Sequence, residues 1–210
     1  MFKKLLDILF PIECLGCGSN DILLCSNCFD SIKINQPDHF STEQIKQVHI
    51  CASFHQKLLQ KIIHLYKYSY IEKISEPLSK LVINYYSQIE DKISEPIIIP
   101  VPLHQKRLLV RCFNQSDLIA QNFCQKFNCQ LKNDLIIRVK HTEQQAKLDK
   151  KGRLKNIKGA FKILDAQFVQ NKNFIIIDDL YTTGSTVSEV AQLLKDGGAH
   201  EIWCIAIAKN

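Results

Sequence analysis

The stretch that most constrains the fold is residues 174–186, which read Phe-Ile-Ile-Ile-Asp-Asp-Leu-Tyr-Thr-Thr-Gly-Ser-Thr. It begins with four consecutive apolar residues, too few for a helix and without the alternation of a half-exposed strand. Such a run is typical of a strand buried on both faces of a parallel sheet. Apolar residues at helical spacing follow, and Gly197-Gly198 would end that helix. The sequence predicts an α/β fold with a mostly parallel sheet flanked by helices.

The turn after this strand is typical of a phosphate-binding loop. Backbone N–H groups at a helix start are unpaired, and the helix dipole favours an anion there. Gly184 would let the backbone approach a ligand closely. Hydroxyl donors come from four residues around it: Thr182, Thr183, Ser185 and Thr186.

The carboxylates of Asp178 and Asp179 would repel a phosphate, so they need another partner. They suit the hydroxyls of a sugar attached to that phosphate, or a Mg²⁺ ion beside it. A sugar diol next to a phosphate predicts a ribose 5-phosphate group. The alternative is a plain capped helix behind a strand, which needs one hydroxyl and no acidic pair. Neither G-x-x-x-x-G-K-[ST] nor G-x-G-x-x-G occurs in the chain, so other phosphate loops fit less well.

Two C-x-x-C pairs near the N-terminus predict a metal site. Seven residues separate the pairs, and four thiolates satisfy tetrahedral Zn²⁺ without an open position. The ion would therefore be structural, and its binding would supply folding energy to a module too small for a core. Free thiols or a redox pair are the alternative. The predicted ligands are Cys14, Cys17, Cys25 and Cys28.

A second buried strand is predicted at residues 96–102, where two prolines stop it abruptly. The loop after it carries cations, and ligands of open α/β sheets bind at the carboxyl ends of strands. Lys106, Arg107 and Arg111 could neutralise a pyrophosphate, with arginine able to do so bidentately. A solvated basic loop is the alternative.

The net charge of +6 is concentrated in one segment of the 210-residue chain. Residues 138–158 hold eight basic and two acidic residues, while the remainder balances at 19 against 19. The segment is polar and lacks an apolar face, as lids and binding loops often do. This segment is predicted either to contact nucleic acid or to form a lid, and the residues expected to do so are Lys147, Lys150, Lys151, Arg153 and Lys155.

The remaining pattern predicts helices over residues 55–70, 74–86 and 113–127, and strands at 51–54, 135–139, 159–164 and 201–208. A short amphipathic helix is expected within residues 2–9, and no apolar run approaches the length of a membrane span. The odd number of nine cysteines, four of them in metal-type spacing, favours a reducing cytoplasm over a disulfide framework.

Residues 174–186 resemble the phosphoribosyl-pyrophosphate (PRPP) binding motif of type I phosphoribosyltransferases. The resemblance implies that Asp178 and Asp179 hold the ribose hydroxyls and that the loop through Leu180 and Tyr181 to Thr186 holds the 5′-phosphate. It also implies Mg²⁺ bound with PRPP.

Motifs along the whole chain resemble the ComF family, phosphoribosyltransferase-like proteins with paired cysteine knuckles that are linked to bacterial competence. The carriers are the four cysteines, 67–68, 101–104, Arg107, Arg111 with 113–115, Arg138, Thr142 with Gln145, Arg153 with Asn156, 159–161 and 178–186. The resemblance implies a module of an N-terminal helix and zinc ribbon at 1–35, a linker at 36–50 and a phosphoribosyltransferase-like domain at 51–210. One position departs from the family pattern: Cys112 stands where the family has glycine, and cysteine would be strained there if φ is positive.

Two functions are compatible with these features. The first is a protein that binds PRPP and single-stranded DNA, and acts with other DNA-uptake proteins in natural transformation, as the resemblance implies. The second is an active phosphoribosyltransferase that moves the ribose phosphate to an acceptor that the sequence does not identify. The basic segment would contact DNA in the first case and close over the site in the second.

Overall fold

A computed structural model describes residues 12–141 and 157–210. Within them, six strands form one sheet in the order β1-β2-β8-β7-β3-β4, in which only the β1–β2 pair is antiparallel. The predicted α/β class with a mostly parallel sheet is therefore confirmed. The six strands are β1 (His39–Phe40), β2 (Gln47–Ser53), β3 (Ile97–Pro100), β4 (Gln130–Leu131), β7 (Asn173–Tyr181) and β8 (Glu201–Lys209).

Helices cover both faces of this sheet, which explains why its strands are apolar without alternation. Ile175 and Ile177 of β7 face one side, where three helices pack, while Phe174 and Ile176 face the other side. The helices are α1 (Ser26–Asp30), α2 (Lys57–Tyr68), α3 (Ser75–Ser87), α4 (Gln105–Arg111), α5 (Gln115–Phe127) and α6 (Ser185–Asp196), with 3₁₀ turns at Glu72–Ile74 and Gln167–Val169. Helices α2, α3 and α5 lie on the first face and α6 on the second.

The predicted helices at 55–70, 74–86 and 113–127 correspond to α2, α3 and α5, with ends shifted by at most two residues. Helix α4 was not predicted, because its sequence Gln-Lys-Arg-Leu-Leu-Val-Arg has the composition of a cationic loop. It begins at the N-cap His104, whose Nδ1 accepts a hydrogen bond from the Lys106 N–H at 3.2 Å.

Residues 36–50, predicted as a linker, contribute β1 and the first half of β2 to the main sheet. A polar sequence such as this one does not predict a buried strand, but His49 is buried because it has polar partners. Its ring nitrogens lie 3.3 Å from the Tyr85 hydroxyl and 2.9 Å from Gln47 Oε1. Strand β2 consequently begins at Gln47, four residues before the predicted start.

Strand β8 lies between β2 and β7, not at an edge of the sheet. The strands predicted at 135–139 and 159–164 form a separate antiparallel hairpin, β5 (Ile136–Arg138) and β6 (Phe161–Ile163). A parallel bridge between His104 and Arg138 attaches this hairpin beside the carboxyl end of β3. The sequence pattern predicted these strands but not which sheet each joins.

Two predictions fall outside the described residues: the helix within residues 2–9 and most of the basic segment, including Lys147, Lys150, Lys151, Arg153 and Lys155.

Candidate functional site

A cleft of about 410 Å³ opens where β3 and β7 end. Parallel strands present their carboxyl ends at one edge of the sheet, so residues distant in sequence meet there. Asp178, Asp179, Leu180, Thr182 and Thr186 line it from β7 and the following turn. The opposite wall comes from α2, from the segment 101–116 and from Arg138 of the hairpin.

The two carboxylates have different environments. Asp179 is buried and forms an ion pair with Lys67 of α2, with Nζ 2.9 Å from Oδ1. Asp178 Oδ1 accepts hydrogen bonds from the Asp179 N–H at 2.9 Å and from the Ser116 hydroxyl at 3.3 Å. Burial, followed by the charge of Asp179, raises the pKa of Asp178 to about 7. The pair therefore holds one carboxylate in an ion pair with a lysine and one whose pKa is raised by burial.

The turn after β7 has the geometry of a tight loop that leads into a helix. Gly184 is the N-cap of α6 with φ of 74°, and a Cβ atom there would collide with the Tyr181 hydroxyl. Glycine is therefore required for both its backbone angle and its size. Thr183 Oγ1 and Ser185 Oγ lie 2.9 Å apart and hydrogen-bond to each other, whereas Thr182 and Thr186 line the cleft.

Three arginines converge on the cleft: Arg107 and Arg111 from α4, and Arg138 from β5. Burial and then the Arg107 charge lower the pKa of Arg138 to about 10, and burial and then the Arg111 charge lower that of Arg107. Cations that are desolvated and close to one another favour an anionic ligand. Lys106, predicted with this group, is exposed and does not line the cleft.

The Phe113-Asn-Gln115 motif positions the wall that carries Arg111. Gln115 Oε1 accepts a hydrogen bond from Arg111 Nη1 at 3.0 Å, and Gln115 Nε2 donates to the Tyr66 carbonyl at 3.3 Å. Asn114 caps α5 by accepting from the Ser116 N–H at 3.1 Å, and donates to the Val101 carbonyl at 3.0 Å. These contacts tie α4 and α5 to α2 and β3.

Cys112, which stands where the ComF-like pattern has glycine, adopts a left-handed conformation with φ of 64° and ψ of −21°. It lies between α4 and α5, where the chain must turn before the Asn114 cap. A residue with a Cβ is strained in this region, so a glycine would fit the backbone better.

The four predicted cysteine ligands come together. All four sulfur atoms lie within 4.8 Å of one another, and Cys17 Sγ is 3.7 Å from Cys25 Sγ. Two sulfurs bound tetrahedrally at a Zn–S distance of about 2.3 Å would be about 3.8 Å apart, so the spacing suits this ion. The Cys25 N–H donates to Cys14 Sγ at 3.3 Å, and this bond, with further backbone hydrogen bonds from Cys17 and Gly16, lowers the pKa of the Cys14 thiol to about 6. The cluster is positioned to hold one metal ion.

Neither Lys67 nor Ser116 was assigned a role from sequence, although each contacts the acidic pair. Lys67 lies on α2, where a lysine among apolar residues at helical spacing is indistinguishable from a solvated one. The one sequence feature that could have indicated a role for Lys67 is its place in the ComF-like motif at residues 67–68. Arg138 likewise belongs to the ComF-like motifs, and its residue type alone predicts no specific role.

All nine cysteines of the chain fall within the described residues and all are free thiols. Over the same residues, no helix combines the length and apolar character needed to cross a membrane.

Known proteins resemble this chain in sequence. Residues 108–210 match the family described as "Phosphoribosyl transferase domain". The chain is 36% identical over 157 residues to the DNA utilization protein YhgH of Shigella flexneri, a match that covers 70% of this chain and 66% of that protein. It is 36% identical over 113 residues to competence protein F of Haemophilus influenzae, covering 53% of this chain and 49% of that one.

Solved structures resemble the chain more distantly. The glutamine PRPP amidotransferase of B. subtilis, solved with ADP and GMP, superposes with a TM-score of 0.45 at 13% identity, covering 68% of this chain and 30% of that one. The phosphoribosylpyrophosphate synthetase of Mycobacterium smegmatis gives 0.38 at 15% identity, covering 67% and 39%. The type I phosphoribosyltransferase fold follows from the family match together with the strand order.

Proposed function

This chain is a homologue of the DNA utilization protein YhgH and competence protein F and has a phosphoribosyltransferase domain, and on that premise we propose that it binds PRPP and acts in DNA uptake during natural transformation. The observation that carries the PRPP assignment is that groups of opposite charge face each other across one cleft. Two carboxylates lie on the strand end, and arginines lie on the wall across from them.

Each part of PRPP has a group suited to it. The ribose hydroxyls donate to Asp178 and Asp179, which repel phosphate, and the 5′-phosphate lies in the turn at Gly184 and the start of α6. The pyrophosphate faces Arg107 and Arg111, whose guanidinium groups can bind it bidentately. Mg²⁺ bound together with PRPP would neutralise charge on the phosphate oxygens. Asp178 could be one of its ligands, because Mg²⁺ prefers oxygen ligands such as carboxylates.

The test is PRPP binding to a variant with Asp178→Asn and Asp179→Asn, measured by calorimetry with Mg²⁺ present. These substitutions keep the shape of both side chains while removing charge, and we expect affinity to fall at least about a hundredfold. The matched control is Glu90→Gln with Asp91→Asn, an exposed neighbouring acidic pair outside the cleft. If both variants bind PRPP as the unchanged protein does, the ribose assignment is wrong.

The DNA partner is proposed from the homologues' names and from the charge of residues 138–158. Lysines and arginines along a phosphate chain release counterions, so binding would be insensitive to sequence and weakened by salt. Reversing Lys150, Lys151 and Arg153 to Glu is expected to weaken single-stranded DNA binding and flatten its dependence on salt.

The control for that experiment replaces three exposed lysines elsewhere, Lys33, Lys57 and Lys126, with Glu. It changes the net charge by the same amount. Equal losses in the two triple variants would show a general charge effect and would remove the segment as the DNA site.

A phosphoribosyltransferase activity is the second candidate, favoured by the three arginines around the cleft. An acceptor would attack the ribose C1 as the bond from C1 to the pyrophosphate oxygen breaks, and the arginines would stabilise the charge of the departing pyrophosphate. Release of pyrophosphate from PRPP against a panel of nucleobases and amines tests it. Binding without release with every acceptor in the panel would favour the first candidate.

We assign Zn²⁺ to the four cysteines as a structural ion, the cytoplasm as the compartment, and other DNA-uptake proteins as partners. The first rests on the sulfur geometry, the second on nine cysteines of which none forms a disulfide, and the third on the homologues.

A further inference from the structure

The ammonium group of Lys67 lies beside Asp178 and Asp179, the acidic pair, where a cation is needed. Lys67 belongs to the last turn of α2, and its Nζ is 2.9 Å from Asp179 Oδ1. These two side chains are 20% and 10% exposed, whereas the lysine of the surface pair Lys46–Glu201 is 64% exposed. Water and salt therefore screen the Lys67–Asp179 contact much less than they screen a surface ion pair.

The packing of α2 against α5 holds Lys67 in this position. The Tyr66 hydroxyl donates to the Gln115 carbonyl at 2.9 Å, and Gln115 Nε2 donates back to the Tyr66 carbonyl at 3.3 Å. The next residue after each of these two, Lys67 and Ser116, contacts one carboxylate of the acidic pair. Because Tyr66 and Gln115 are buried, the backbone at Lys67 is fixed, and only its side chain can move away from the carboxylate.

The same carboxylates are the donors that a divalent cation would use. Asp178 and Asp179 both line the cleft, and Mg²⁺ and Mn²⁺ prefer carboxylate oxygen ligands. An ion bound to both side chains would have to displace Lys67 from Asp179 Oδ1. The displaced ammonium group would then lie in one cleft with three arginines and a doubly charged ion, and these charges repel one another.

We propose that Lys67 is the built-in counterion of the cleft: it neutralises Asp179 while the cleft is free of ligand, and it keeps divalent cations out of the acidic pair. A divalent ion would then enter only together with a ligand that supplies oxygen atoms of its own, as a pyrophosphate group does. The exclusion of free cations does not depend on what the cleft binds. The second step, entry of the ion together with PRPP, rests on the proposed function.

The test is a titration of the zinc-loaded, full-length protein with Mn²⁺, a paramagnetic probe in place of Mg²⁺. Electron paramagnetic resonance measures free Mn²⁺, and no PRPP is present. Lys67→Gln removes the ammonium group, and we expect this variant to bind one Mn²⁺ at least about tenfold more tightly than the unchanged protein does. Adding Asp178→Asn and Asp179→Asn to Lys67→Gln should abolish the gain, because the donors are then lost.

Two control variants separate the ion pair from the overall charge of the cleft. Lys67→Arg keeps a cation beside Asp179 and should bind Mn²⁺ as weakly as the unchanged protein. Arg111→Gln removes one positive charge elsewhere in the cleft, where the Arg111 guanidinium group donates to Gln115, and it should gain no Mn²⁺ affinity either.

Melting temperature gives a second measure of the same binding. Lys67→Gln leaves Asp179 buried without its cation, so the variant should melt at a lower temperature and regain part of the difference when Mn²⁺ is added. If Lys67→Gln does not fold, the unchanged protein is compared with its Asp178→Asn, Asp179→Asn variant. Equally weak Mn²⁺ binding by these two proteins supports the proposal, and a loss of Mn²⁺ affinity in the variant overturns it.

The step that involves PRPP is measured separately, by calorimetry with and without Mg²⁺. The ratio of these two PRPP affinities should rise at least about tenfold in Lys67→Gln, because the variant needs the ion to neutralise Asp179. An equal ratio in the two proteins would overturn this step. If the unchanged protein does not bind PRPP with Mg²⁺ present, the proposed function is wrong, whereas the Mn²⁺ titration still decides the role of Lys67.

Two further results would overturn the proposal. The first is a Mn²⁺ affinity of folded Lys67→Gln that equals the affinity of the unchanged protein. The second is an equal gain in Arg111→Gln, which would assign the exclusion of cations to the net charge of the cleft.

Discussion

The four-cysteine cluster and the acidic-pair cleft are assembled in opposite ways. The cluster takes all its ligands from residues 14–28, whereas the cleft draws on α2, α4, α5, the hairpin and β7. The two regions also touch, since Lys61 of α2 donates to the Leu15 carbonyl at 2.8 Å. A metal can order the first region locally, while the second exists only when the whole sheet has formed.

The largest effect expected is from Cys28→Ser, which leaves three thiolates. We expect metal affinity to fall by several kcal/mol and the cysteine module to lose its order, because the ion supplies its folding energy. PRPP affinity should stay within about threefold, since no ligand of the cleft is lost. Zinc content by mass spectrometry and calorimetry with PRPP measure the two quantities. A parallel loss of PRPP affinity would mean that the regions are coupled through α2.

The next largest effect is expected from Lys67→Met, which tests the cleft, the region assembled from residues distant in sequence. It leaves the Asp179 carboxylate buried without its cation, which should lower the free energy of unfolding by about 3 kcal/mol. Chemical denaturation measures this loss. In the double variant with Asp179→Asn the orphaned charge is absent, so most of the stability should return. If it does not, packing of the Lys67 side chain, and not the ion pair, accounts for the loss.

The pKa of Asp178 predicts how stability changes with pH. Since folding raises this pKa to about 7, the folded state holds the proton more tightly than the unfolded state between about pH 4 and 7. Stability should therefore decline as pH rises through this window, by a few kcal/mol, and level off above it. Asp178→Asn should remove that slope when melting temperatures are compared. A slope that persists in the variant would assign it to other groups.

The smallest effect expected is a gain. Cys112→Gly should raise the free energy of unfolding by about 0.5–1 kcal/mol, because glycine adopts positive φ without strain. Asn128 also has positive φ, at 51°, but asparagine tolerates it, so Asn128→Gly should change stability less. Equal effects in the two variants would show that Cys112 is not specially strained.

The same contrast explains how far the sequence could predict the molecule. The cysteine spacing and the Asp178–Thr186 turn are local patterns: the four sulfur atoms come together, and five residues of the turn line one cleft, whose role in binding PRPP stays a prediction. Lys67 and Ser116 reach the acidic pair only through packing of α2 and α5 on the sheet, which no local pattern encodes. The predicted strand begins at residue 51 and not at Gln47 for a related reason. His49 can be buried in this strand because Tyr85 of α3, which is distant in sequence, lies within hydrogen-bond distance of its ring. Helix α4 was missed because it lacks the buried face from which helices are predicted.

The position of β8 has a consequence for the order of events during synthesis. Its residues 201–209 lie between β2 and β7, so these two neighbours stay apart until that stretch has left the ribosome. A nascent chain would carry an unfinished edge on β2 from residue 53 onward and a second one on β7 from residue 181 onward, until β8 is made, and such edges invite aggregation. The β2 edge therefore stays unpaired for a far longer stretch of synthesis than the β7 edge, while the four-cysteine cluster at residues 14–28 can already be complete.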